Sequence, residues 1–199
     1  GADRNFDFRV FERLRILGVN LVFYDQVLPG NFADYVGLDN EGAVRTLLAK
    51  AKADGAKQMI FVNYSDLDVD TNAERQQAFE AYLENSGWRG EIRLISRHAG
   101  AAECRLFAAE LVAAAASMPT AVIGVNAPVL QMLFRHPVAG IRLYCVDHVP
   151  QLSELGAVGF RQPINVMAEA AVLALQEQRK KGGKWRAGVR RFAGELVES

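Results

Sequence analysis

Along this chain, short unbroken apolar runs alternate with longer stretches whose apolar residues recur at helical spacing. The runs "VNLVFYD" (19–25), "QMIFVNY" (58–64), "EIRLIS" (91–96), "TAVIGV" (120–125), "IRLYCV" (141–146) and "VRRFAGELV" (189–197) predict strands. The stretches at 40–54, 71–86, 101–117, 127–135 and 164–181 predict helices. A further helix is predicted over "FRVFERLRILG" (8–18), ahead of all the strands and stopped at Gly18. Strands that are apolar on both faces and separated by helices imply parallel pairing, with helices covering each side. The expected architecture is therefore α/β and doubly wound, and any ligand belongs at the C-terminal ends of the strands.

That rule selects a short set of polar residues: Asp25, then Tyr64, Ser65 and Asp66, then Arg97 and His98, then Asn126, then Asp147 and His148. One more residue stands out by its place in a helix. In "TNAERQQAFEAYL" (71–83), Thr71 and Glu74 have the spacing of a capping box, so a helix is expected to begin at Thr71. The first helical turn carries partial positive charge, yet Arg75 sits in it. Either Arg75 leans out to pair with Glu74, Asp70 or Asp68, or it is held there to reach into a cleft.

Composition narrows the function classes. Half of the 199 residues are hydrophobic, and 23 acidic side chains balance 23 basic ones, which does not suit nucleic-acid binding through this surface. No apolar window is long enough to span a bilayer, and "GADRNFDF" does not read as a signal peptide. Cys104 and Cys145 read as buried, reduced thiols, without zinc or disulfide spacing. No Gly-rich phosphate loop follows a strand, and Ser65, Ser96, Ser117 and Ser153 lack a nucleophile motif. "EQRKKGGKWR" (177–186) reads as a solvated helix end and turn. The expectation is binding rather than catalysis, with no cofactor and no metal.

The order of segments resembles the effector-binding domain of LacI-family transcriptional regulators, a type I periplasmic-binding-protein-like fold. The resemblance rests on Asp25, Val36, Asp39 and Asn40, on Gly55 before "MIFV", and on "ERQQAFEAYLENSG". It continues through "PTAVIGVNAPVLQML", "IRLYCVDHV", "AVGFRQPINVMAEAAVLAL" and "RRFAGELVES", from about Leu14 to Ser199. Departures are Gln26 for the usual arginine, Ala43 and Ala78 for common glycines, Ala127 for aspartate, and Cys145-Val146 for Gly-Phe. The Ala127 departure removes one frequent acceptor for sugar hydroxyls.

The resemblance implies a two-lobed molecule with lobe one incomplete. Residues 1–36 would end the N-terminal lobe, 37–150 form the C-terminal lobe, 151–182 return to the first lobe, and 183–199 supply a closing strand. No DNA-binding domain is expected in this chain. The resemblance also implies a non-enzymatic, cytoplasmic, homodimeric regulator that senses a sugar or related small polar metabolite. It would meet operator DNA only through an N-terminal helix-turn-helix outside this chain, and no membrane is expected as a partner. The implied ligand-binding residues are Arg75, Asp147, Asn126, Tyr64, Asp25 and Gln162, with Tyr64 as a stacking wall. The alternative on the same fold is an extracytoplasmic solute-binding protein serving a transporter or sensor kinase.

Overall fold

A computed structural model describes residues 9–25 and 31–198. In chain order the elements are α1 (Arg9–Ile16), β1 (Val22–Tyr24), β2 (Asp34–Leu38), α2 (Asn40–Ala53), β3 (Gln58–Tyr64) and α3 (Asp70–Ser86). They continue with β4 (Gly90–Ile95), α4 (Ala101–Ala115), β5 (Thr120–Gly124), α5 (Ala127–Leu133), β6 (Ile141–Cys145) and α6 (Pro150–Glu154). The last are β7 (Val158–Arg161), α7 (Ile164–Lys181), β8 (Val189–Phe192) and β9 (Glu195–Val197).

The strands form two sheets. A six-stranded sheet runs β4-β3-β5-β6-β7-β9, parallel except for β9, which pairs antiparallel with β7. A three-stranded sheet runs β1-β2-β8, all parallel. Every residue of β3 and β5 is buried, as the uninterrupted apolar runs require of strands covered on both faces. The fold is thus α/β with parallel sheets, as the sequence pattern predicts. The main core joins Phe61, Phe79, Leu111, Ile123, Leu130 and Tyr144 around the large sheet. A smaller cluster of Val36, Met167 and Ala170 lies beneath α7 on the small sheet.

Several expectations need correction. The strand expected over 189–197 is two strands. β8 pairs with β2 in the small sheet, whereas β9 crosses to the large sheet. Gly194 makes that crossing, since a Cβ there would collide with the Arg161 carbonyl oxygen. Two strands escape the periodicity reading, β2 ("DYVGL") and β7 ("VGFR"), because each is short and broken by glycine. Gly159 lets β7 approach the loop after β6, where a Cβ would lie 2.9 Å from the Asp147 carbonyl oxygen. The boundary expected between 36 and 37 falls within β2, and the stretch expected to return from 151 contributes β7 to the large sheet before α7 packs on the small one.

α3 begins at Asp70, with extended Val69 in the capping position and no capping side chain, so the Thr71–Glu74 box does not form. Glu74 is committed elsewhere, as described below. "EQRKKGGKWR" is not wholly solvated either. Trp185 is buried and donates its Nε1–H to Asp34 Oδ2 at 3.0 Å. The Asp34 carboxylate also accepts from Gln178 Nε2 at 2.6 Å and from the Gly188 amide at 2.7 Å, which fastens α7 and the approach to β8 onto β2.

Candidate functional site

The C-terminal ends of β1, β3, β5, β6 and β7 converge on one cavity of about 400 Å³ between the two sheets. Asp25, Arg75, Asn126, Asp147 and Gln162 all line it, together with Tyr24, Leu67, Val69, Thr71 and Asn72. Five of the six residues expected from the sequence are therefore brought together. Tyr64 is not among the lining residues.

Arg75 is the sixth residue of α3, in its second turn rather than the first, and is 4% exposed. Its Nε donates to Asn40 Oδ1 at 2.8 Å and its Nη1 to the Val125 carbonyl at 2.9 Å. A buried guanidinium must be hydrogen-bonded to be tolerated, and these two oxygens hold the fork in place while it lines the cleft. Arg75 does not pair with the neighbouring carboxylate. Glu74 takes two hydrogen bonds from Arg191, from Nη2 at 2.7 Å and Nη1 at 3.0 Å, and one from Asn40 Nδ2 at 2.8 Å. Burial alone would push the Glu74 carboxyl up, but the hydrogen bonds from Arg191 and Asn40 and the nearby positive charges outweigh it and hold it below its ordinary value. Asp39 caps α2 through the Gly42 amide at 3.0 Å, and Asn40, fully buried, joins the cleft arginine to Glu74.

On the facing side, Asn126 caps α5. Its Oδ1 accepts from the Val129 amide at 3.2 Å and from the Tyr64 hydroxyl at 3.1 Å. Tyr64 is the residue whose expected role changes: its ring belongs to the core and its hydroxyl steadies Asn126 from behind, so no stacking wall is presented. Burial pushes the Tyr64 hydroxyl above its usual range. Asp147 accepts from Gln162 Nε2 at 2.8 Å through Oδ1 and from the Ala127 amide at 3.0 Å through Oδ2. A carboxylate has about four acceptor positions, so each oxygen retains capacity toward the cavity.

Asp25 has a left-handed backbone, with φ at 56°. Its amide donates to the Val36 carbonyl at 2.9 Å and its carboxylate accepts from the Leu38 amide. Its Oδ1 is buried without a partner among the described residues. Burial pushes the Asp25 carboxyl up, against the opposing charge of Arg75. Gln26, the departure beside it, lies outside the described residues.

Sequence reasoning missed Thr71 and Asn72. Asn72 precedes Arg75 by three residues, a spacing that places both on one helix face and that would have identified it. Neither His98 nor His148 lines the cavity; His98 accepts from Arg97 Nε at 3.0 Å. Cys104 and Cys145 are buried free thiols. Among the described residues there is no group of three or more His, Cys, Asp or Glu side chains able to hold a metal, and no helix is long and apolar enough to cross a membrane. The site's chemistry is that of a polar binding cleft, with donors from Arg75 and Asn72 and acceptors from Asp25, Asp147 and Gln162.

No family model matches the chain, and no curated protein matches it. Solved structures do. The probable maltose operon transcriptional repressor from Staphylococcus aureus superimposes with a TM-score of 0.77 at 12% identity, covering 100% of this chain and 72% of that one. The Cra transcriptional dual regulator from Pseudomonas putida, solved in complex with fructose 1-phosphate, gives 0.74 at 14% identity, covering 96% and 73%. A LacI family transcriptional regulator from Enterococcus faecium, solved with bound ribose, gives 0.72 at 15% identity, covering 95% and 72%. The chain has the fold of the LacI-family transcriptional regulators, in agreement with the motif order in its sequence.

Proposed function

We propose that this chain is the effector-sensing part of a LacI-type transcriptional regulator and that a small polar, sugar-like metabolite binds in the cleft between its sheets. The observation that carries this reading is the convergence on one cavity of Arg75 from α3 with Asn126, Asp147, Asp25 and Gln162 from the ends of strands in both sheets. The fructose 1-phosphate and ribose in two structures of the same fold support the ligand class.

In this reading the small sheet is the end of the first lobe and the large sheet the second. Ligand contacts from both lobes favour the closed arrangement. Closure then shifts the population of a homodimer between forms of different operator affinity, through a helix-turn-helix beyond this chain. The site is cytoplasmic and performs no chemistry on its ligand.

The test is calorimetry of the full-length gene product with a panel of neutral sugars and sugar phosphates, on wild type, Arg75→Lys and Asp147→Asn. A sugar-like ligand should bind the wild type, and either substitution should weaken it by ten-fold or more, about 1.4 kcal/mol or above. Unchanged affinity in both variants would remove Arg75 and Asp147 from the site.

A further inference from the structure

The first turn of α3 carries an amide that none of the described residues engages. Asn72 is 5% exposed, and its Nδ2 is one of three buried side-chain polar atoms without a partner among the described residues. Native cores rarely leave such a donor unmet, and one that is unmet asks for an explanation. Asn72 lines the cleft on the helix face that presents Arg75.

A second unmet atom, Asp25 Oδ1, belongs to the same cleft but comes from the small sheet. Asp25 is held in a left-handed conformation that residues other than glycine adopt seldom, fixed by its bonds to Val36 and Leu38. The third unmet atom, Tyr35 Oη, is not in the cleft; that ring lies against the Arg191 guanidinium. Two of the three orphaned atoms therefore belong to residues that line one cavity, each covered from solvent in this arrangement of the sheets. One is a donor from the large lobe, and the other is an acceptor from the small lobe.

We propose that Asn72 and Asp25 are a recognition pair for an uncharged polyol, with Asn72 Nδ2 donating to one ligand oxygen and Asp25 Oδ1 accepting from a ligand hydroxyl. This inference rests on the reading of the cleft as an effector site and specifies the ligand's charge. Hydroxyls suit the pair because each can both donate and accept. A phosphate or carboxylate could satisfy Asn72, but it has no proton to offer Asp25 and would set negative charge near Asp25 and Asp147. Because donor and acceptor come from different sheets, only a ligand spanning the cleft satisfies both.

The pair is tested with Asn72→Leu and Asp25→Asn in the full-length protein. Melting temperature is read first without ligand, then with ribose, fructose, glucose and xylitol and with the phosphate esters of the sugars. Leucine replaces the orphaned amide with an apolar group of similar shape, so Asn72→Leu should melt at or above the wild-type temperature. It should nonetheless bind the preferred polyol at least ten-fold more weakly. Asp25→Asn keeps an acceptor for Leu38 and tolerates the left-handed backbone, and should weaken the same ligand. The wild type should prefer each unphosphorylated compound to its phosphate. A melting point several degrees lower in Asn72→Leu would reveal a structural partner for the amide and overturn the pair. Undiminished binding in both variants, or a preference for the phosphate, would overturn the pair alone. A wild type that no compound stabilises would overturn the pair together with the effector reading.

Discussion

Glu74 and Arg75 are adjacent, and an α-helix separates neighbouring side chains by about 100°, so the two charges leave α3 in different directions. Arg75 enters the cleft and Glu74 faces β8. Because α3 starts at Asp70, Arg75 lies in the second turn, past the positive end of the helix. Its guanidinium is held by Asn40 and the Val125 carbonyl, with Asn40 itself steadied by Glu74. The consequence for pH follows from the sign of the Glu74 shift. Its folded-state pKa lies below the ordinary value of 4.5, so its contribution to stability is present above that value and is lost as pH falls through the depressed pKa. Thermal melts from pH 7 downward should show the wild type losing stability below about pH 4.5. Glu74→Gln should melt lower at pH 7 and fall less steeply with acid. Coincident curves would mean that the Arg191 pair contributes nothing.

Among the elements, those legible from the sequence carry a long apolar run or a sustained helical spacing. Uniform burial is not what decides it, since β4 is read despite mixed burial and β2 is missed although wholly buried. β3 and β5 are wholly buried because helices cover them on both sides, β6 is apolar but for the exposed Arg142, and α2, α3, α4 and α7 announce themselves by length and spacing. β2, β7 and the division of 189–197 were illegible for a different reason. Their strand character depends on partners supplied from far along the chain: Leu38 pairs with Phe192, and Gly159 with Val197. The site followed the same rule. Asp25, Asn126, Asp147 and Gln162 were visible because they follow strands or precede a helix. Tyr64 was misjudged because only its surroundings show that its hydroxyl serves Asn126. A test at this scale is Gly194→Ala, whose Cβ would meet the Arg161 carbonyl and the Phe160 ring. Overpacking there should cost on the order of 1–3 kcal/mol in urea unfolding. A cost below about 0.5 kcal/mol would show that the β8–β9 crossing can shift at little expense.

For the molecule as a whole, three segments connect the sheets, at 38–40, 161–164 and 192–195, and the bidentate Arg191–Glu74 pair spans the same junction from β8 to α3. Through Asn40 that pair is hydrogen-bonded to the arginine of the cleft. Removing it should loosen one lobe against the other rather than unfold either. Fluorophores placed on α4 and α7 should report a broader distance distribution in Arg191→Met than in the wild type. Arg191→Lys, which keeps the charge but loses the fork, should lie between the two. Identical distributions in all three proteins would assign the junction's stiffness to the backbone crossings alone.

The amino-acid sequence by itself determined the alternation of buried strands and covering helices, and with it the parallel architecture and the edge where strand ends gather. These follow from local periodicity and from the requirement that apolar faces be covered. The tertiary structure alone decided which polar groups are spent and which are left over. Arg75 is held by residues 35 and 50 positions away, Tyr64 by one 62 positions away, while Asn72 Nδ2 and Asp25 Oδ1, on residues that line the cleft, have no partner among the described residues. Hydrogen-bond satisfaction is a property of every neighbour a buried atom has, and those neighbours are assembled only when the two sheets face each other.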